Sequence, residues 1–206
     1  GLSWSTLTAG EPDLPDAPQR KPLVVKPVFL YATYQRRPQT SWRSWGGIET
    51  QKDVENEIPR INAELDALKQ SADFPLTFLP LSALHSAKEL KDVADAKQAD
   101  AFLVYAANGD PNGITQFGKP VVMFIRHKSG PLSLWYEIVS PRYLRQHTDQ
   151  LKLVGITDDD VVIDSKEEVL WRLRGLCGLV NTVGSKILTI GGADAWAQPK
   201  DVVPNL

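Results

Sequence analysis

The sequence predicts an open, doubly wound α/β domain with a mostly parallel sheet of roughly five to six strands, Rossmann-like or flavodoxin-like in layout. Three observations predict it. Short segments dense in Val, Ile, Leu and Phe alternate with segments of helical periodicity. Two central runs, at residues 101–106 and 120–126, are apolar almost throughout, the pattern of strands buried on both faces. The composition, 42% hydrophobic and 23% charged over 206 residues, is that of a globular domain long enough to bury a core without disulfides.

Residues 1–22 read as an extended tail. Pro12, Pro15, Pro18 and Pro22 lie there among polar neighbours. Residues 23–206 then form the α/β domain, expected to be one domain of a longer chain. The first strand falls at residues 23–33; Pro27 lacks an amide hydrogen, which moves its expected start to Val28. The clearest helix covers residues 52–71, where Val54, Ile58, Ile61, Leu65 and Leu68 form one stripe. Thr50 or Asp53 caps it, and Pro59 either kinks it or marks its start. A second strand is expected at residues 76–81. Ser86 and Glu89 form a capping-box pattern opening a short helix with Leu90, Val93 and Ala94 on its stripe.

The strand at 101–106 runs into Asn108-Gly109-Asp110-Pro111-Asn112-Gly113, where turn formers dominate. Strands are expected next at 120–126, 132–139 and 161–164. Ser165 and Glu168 repeat the capping-box pattern before a helix with Val169, Leu173, Leu176 and Val180 on one stripe and Cys177 beside them. A last strand is expected at 186–190.

Several function classes are excluded or disfavoured. The net charge of −2 lacks the basic excess of a nucleic-acid binder. No apolar run reaches the length of a membrane span. The single cysteine, Cys177, rules out an internal disulfide and a cysteine-cluster zinc site, and reads as a core residue. There is no G-x-S-x-G elbow, no P-loop, no H-E-x-x-H and no dinucleotide fingerprint. Asp158-Asp159-Asp160 reads as a solvated turn, since three consecutive side chains do not converge on one ion. His85 and Glu89 need not share a face, because His85 precedes the helix start. The compartment is not fixed by the sequence; the Gly1 start and Pro-rich tail are compatible with export.

Open α/β sheets bind ligands beyond the carboxyl ends of their strands. Residues 34–47 follow the first strand and carry Arg36, Arg37, Gln39, Trp42, Arg43 and Trp45. Guanidinium forks grip carboxylates, phosphates and hydroxyls, and indole faces stack on sugars. The competing reading is a charged surface loop pinned by its tryptophans. Asn108 and Asp110 are further candidates for holding a polar ligand, against the alternative of a plain tight turn.

The first strand with its Arg-bearing loop, the stretch LVYAANG at 103–109, PVVMF at 120–124 and SKILTIGG at 185–192 together resemble the N-terminal α/β domain of L-fucose and L-arabinose isomerase-like proteins. The resemblance runs from Leu23 to Leu206. It implies a protein that interconverts aldoses and ketoses with a divalent metal, usually manganese. In such proteins the metal ligands and acid/base groups lie in later domains, so no catalytic residue is carried over here and this chain by itself is expected to hold no cofactor. The N-terminal domain packs against a neighbouring subunit in a homo-oligomer and lends substrate contacts, for which residues 36–45 are the candidates. The alternative is a stand-alone module that binds a carbohydrate or small anion through the same loop.

Overall fold

The computed structural model describes residues 19–33, 48–125 and 156–185. The expected strands at 132–139 and 186–190, and most of the Pro-rich tail, lie outside these residues. The described elements are β1 (Leu23–Leu30), α1 (Gln51–Ser71), β2 (Leu76–Phe78), β3 (Ser82–Leu84), β4 (Ala101–Ala106), β5 (Val121–Ile125), β6 (Val161–Ile163) and α2 (Lys166–Thr182). All described strand pairings are parallel. The sheet runs β2-β1-β4-β5-β6, with β3 also on β1. Counting β2 and β3 as one interrupted strand gives the order 2-1-3-4-5 of flavodoxin-like sheets. The α/β fold read from the sequence is the fold observed.

β1 starts at Leu23, not at Val28, and Pro27 sits in its middle opposite Leu103 of β4. The hydrogen bonds explain how a central strand tolerates it. Odd-numbered β1 residues face β2 and β3: Leu23 N donates to Pro75 O, Val25 O accepts from Leu79 N, and Tyr31 N donates to Leu84 O. Val24 O instead accepts from Asp100 N, on the β4 side. The missing Pro27 amide therefore points to the gap between β2 and β3. The single strand expected at 76–81 is replaced by two short ones for this reason. Pro80, within the gap, lends its carbonyl to Lys26 Nζ at 2.5 Å.

Lys26 is 1% exposed and completes its shell with the Asp95 carboxylate at 2.8 Å. Asp95 belongs to the link between β3 and β4, which is 3-10 rather than α-helical, at Ala87–Asp92 and Ala96–Gln98. The reason is legible in the spacing. Ala87, Leu90, Val93, Ala96 and Ala99 recur every third residue, the period of a 3-10 turn. Ala94, expected on the buried stripe, is exposed. The Ser86–Glu89 capping box forms as expected.

α1 begins with Thr50 as N-cap and Asp53 closing the box. Pro59 neither starts nor breaks it. The residue is exposed, so the carbonyl it leaves unbonded one turn back meets water. Val54, Ile61, Leu65 and Leu68 are buried as the periodicity predicts. α2 starts at the Ser165 cap, but Glu168 turns to Arg172 at 2.8 Å instead of closing a box. Val169, Leu173 and Cys177 are its buried positions, with Leu176 and Val180 only partly covered. Cys177 packs beside Lys21 O and Pro75 O, and Arg174 pairs with Asp73 at 2.6 Å. Asp158–Asp160 form a single turn closed by Asp160 on Thr157, as expected. No described helix is long and apolar enough to cross a membrane.

The buried Lys26 ammonium sets an order of stabilities. Asp95→Ala leaves that charge without its carboxylate and is expected to cost about 3 kcal/mol. Lys26→Met keeps the apolar stem and leaves Asp95, 25% exposed, in contact with water; its expected cost is under about 1.5 kcal/mol. Urea denaturation of the two variants checks this order.

Candidate functional site

The sheet reverses its winding between β1 and β4. From β1 the chain moves to one side to form β2 and β3, then crosses to the other side for β4, β5 and β6. The carboxyl edge at this switch point is where such folds place ligands. Three chain segments meet there: 31–33 after β1, 85–87 after β3 and 107–113 after β4.

Asn108 holds the first of these in place. Its Oδ1 accepts from Ala32 N at 2.9 Å, and its Nδ2 donates to Ala32 O at 2.9 Å and to Ile48 O at 2.8 Å. One amide thus ties both flanks of residues 34–47 to the end of β4. Both Nδ2 protons are committed to these bonds, so Asn108 positions the edge rather than donating to a ligand.

Gly109 lies where no side chain fits. A Cβ there would stand 2.6 Å from Tyr31 N, 2.8 Å from Leu30 C and 3.0 Å from His85 O. Its amide donates to Leu30 O at 3.3 Å. The β4 loop therefore lies directly against the end of β1, and glycine permits the approach.

Asp110 joins the second segment to the third. Its amide donates to His85 O at 2.8 Å, its carbonyl accepts from Ala87 N at 2.8 Å, and Ser86 and Asp110 form a parallel bridge. The carboxylate accepts from Ser86 Oγ at 3.2 Å and from Asn112 N at 3.0 Å and Asn112 Nδ2 at 2.6 Å. Backbone and side chain together close a bridge over the end of β1. Asp110 is partly exposed, so its carboxylate keeps access to solvent.

Beside this bridge the rings of Tyr31 and His85 are 4.5 Å apart at 52°, and Tyr31 also stacks on Phe29 at 5.3 Å. His85 Nδ1 is 3.1 Å from Tyr31 O. His85 precedes the helix start, as expected, and Glu89 accepts from Ser86 N at 3.0 Å.

The start of α1 lies near the same edge but is already served by a carboxylate. Asp53 Oδ2 accepts from Thr50 N at 2.7 Å and Glu49 N at 3.2 Å. A phosphate cradled on this helix start would face that resident charge.

Of the candidate residues read from the sequence, Asn108 and Asp110 are brought together at the switch point. Arg36, Arg37, Gln39, Trp42, Arg43 and Trp45 lie outside the described residues. Sequence reading missed Tyr31, His85 and Ser86 as members of this edge. The cause is β3, three residues long and beyond the second strand expected at 76–81, so that nothing in the pattern marks His85 as leaving a strand. The signal available was the short Ser82-Ala83-Leu84 step just before a histidine.

Two other cavities, of about 430 Å³ beside Trp171 and Val122 and about 710 Å³ beside Lys21 and Asn181, lie at the amino ends of the strands. A third, of about 320 Å³, opens between α1 and the start of α2, bounded by Glu64, Phe124 and Asp164. Asp164 has a φ of 55°, a left-handed conformation that Asp tolerates better than most residues. Among the described residues no three His, Cys, Asp or Glu side chains are grouped to hold a metal ion.

No family model, no curated protein and no solved structure matches the chain.

Two variants test the edge. Asn108→Ala is expected to cost about 2 kcal/mol through three lost hydrogen bonds. Hydrogen exchange at the Ala32 amide, protected by Oδ1, is expected to quicken in the same protein. Gly109→Ala forces backbone apart and is expected to lower stability by about 2 kcal/mol or more, read from the thermal midpoint.

Proposed function

We propose that this chain is a non-catalytic, carbohydrate-contacting α/β domain of the kind that sugar isomerase-like proteins carry at their N-terminus, contributing substrate contacts and subunit packing in a homo-oligomer. One observation carries the reading. A single side chain, Asn108, fixes both flanks of residues 34–47 at the carboxyl edge of β1 and β4, where the strand order reverses. The segment richest in ligand-gripping side chains thus begins and ends at the position where this topology takes its ligands.

In this reading Arg36, Arg37 and Arg43 donate to sugar oxygens, Gln39 adds a neutral donor and acceptor, and Trp42 and Trp45 stack on the C–H faces of the ring. Asp110 offers carboxylate oxygens to ligand hydroxyls, and Asn108 holds the frame. The aldose–ketose step of such proteins draws on a divalent metal, with manganese the expected ion, and on acid/base groups supplied elsewhere. No step is assigned to residues of this chain.

The second reading is a stand-alone module for a carbohydrate or small anion. The three arginines in one short segment favour an anionic ligand there.

Calorimetric titration with free aldoses, ketoses and sugar phosphates tests both. Arg36→Ala and Trp42→Ala are each expected to weaken binding roughly tenfold. Unchanged affinity in both variants removes the loop from the site. Turnover of an aldose by this chain alone, with manganese supplied, overturns the non-catalytic assignment.

A further inference from the structure

Among the described residues, the large apolar side chains left exposed are Ile163, Trp171, Leu179 and Val183, all on β6, α2 or the C-cap of α2. Trp171 is 67% exposed, Leu179 50% and Val183 72%. Together with Gly175 these three fall four residues apart, in one row on the outer side of α2, away from the buried Val169, Leu173 and Cys177. No charged residue occurs from 175 to 185. The solvent face of a helix is ordinarily polar.

Nothing in the described chain calls for glycine on this face. Gly175 and Gly178 are exposed, neither has a left-handed backbone, and a Cβ on either would meet nothing within 4 Å. Glycine inside a helix costs more stability than any residue but proline. What it provides is room for another backbone to come close. Gly175 also lines the cavity of about 430 Å³ with Trp171, Leu176 and Val122. The charges on its rim are already answered: Arg172 has Glu168, Arg174 has Asp73, and Asp160 accepts from Thr157. An apolar side chain entering over Gly175 therefore strips water from no unpaired charge.

The row is complementary to itself when reversed. Antiparallel pairing about residue 177 sets Leu179 of one copy against Gly175 of the other and Trp171 against Val183, each contact made twice. A parallel pairing opposes Trp171 to Trp171 and Glu168 to Glu168. In the antiparallel register the acidic turn at Glu167 and Glu168 meets the uncharged end of the row, and the next charge along the sequence is Lys186, opposite in sign. Aligning two rows of residues four apart crosses the helices at about −50°, the commonest helix–helix class.

We propose that α2 is a self-association surface: a second copy of this chain packs antiparallel on the row Trp171, Gly175, Leu179, Val183, with Leu179 of each copy seated over Gly175 of the other. The inference deepens the homo-oligomeric part of the proposed reading, on which it rests, and is independent of the sugar site at the carboxyl edge. A face about 20 Å long and 10 Å wide buries less than the ~800 Å² per partner of a standard interface, so the dimer is expected to be weak, with a Kd of about 100 μM.

Sedimentation equilibrium of the full chain from about 10 μM to about 1 mM tests it, with a monomer–dimer equilibrium expected. Gly175→Ala is the decisive variant, because its two effects have opposite signs. In dilute solution its thermal midpoint is expected to hold or rise, since alanine favours the helix and the added methyl meets open space. Its dimer is expected to weaken about tenfold, as is that of Trp171→Ser. A one-to-one mixture of Gly175→Cys and Leu179→Cys chains keeps the volume of the central contact, and Cys177 is buried. Mild oxidation is expected to join the unlike chains; Gly175→Cys joined to itself overturns the antiparallel register. A chain that stays monomeric over the whole range overturns both the surface and the homo-oligomeric packing. If the chain dimerises and neither Gly175→Ala nor Trp171→Ser weakens the dimer, the homo-oligomer stands and the α2 surface falls. None of these readouts involves a sugar, so the carbohydrate contacts stand or fall on calorimetry alone.

Discussion

A proline in the middle of a central strand governs how this sheet is built. Pro27 has no amide hydrogen to give, and its position in β1 directs that deficit toward β2 and β3. A regular partner strand would leave a carbonyl unanswered at that level. The chain instead breaks its second strand in two and places Pro80 in the break. The Pro80 carbonyl then accepts from Lys26 Nζ, whose other partner is Asp95. A defect in one strand is converted into a buried ionic contact, and that contact locates the 3-10 link which stands where many such folds place a helix. Removing a charge from such a pair is costly because the remaining charge has lost its water. The break and the link therefore hold each other in register.

The same break shapes the carboxyl edge. Because β3 resumes pairing with β1 beyond the gap, the chain emerges at His85 beside the end of β1. From there Ser86 reaches Asp110, and Gly109 lets the β4 loop lie flat against Leu30 and Tyr31. Asn108 then secures the exit of β1 and the entry to α1. Segments distant in sequence become one rigid rim, and rigidity at a rim is what lets a few polar groups select a ligand by geometry.

Much of this was legible in the sequence. The parallel α/β fold, the caps at Thr50, Ser86 and Ser165, the core face of α1 and the buried strands β4 and β5 follow from periodicity and burial alone. What was not legible depended on partners far along the chain. Pro27 argued for a late start to β1 because the gap that receives it is formed by residues 79–81, roughly fifty positions away. β3 is too short to show alternation, and with it went the recognition of His85. The period of three between Ala87 and Ala99 is present in the sequence, but a capping box at its head is equally the start of an α-helix. Asn108 was legible as a polar residue at a strand end; that its amide serves backbone on two other segments is a property of tertiary structure.

Lys26 and Pro27 have a second consequence, before the fold exists. β1 is paired on one side by residues 76–84 and on the other by 101–106, so its partners leave the ribosome long after it does. Until then Leu23–Leu30 is an unprotected stretch of strong strand formers. Such stretches nucleate cross-β association when they lack charge and proline. The two residues that break the pattern fall at its centre and divide the strand into apolar runs of three, Leu23–Val25 and Val28–Leu30. The features that force the finished sheet to open a gap also act as gatekeepers for the chain that has yet to fold.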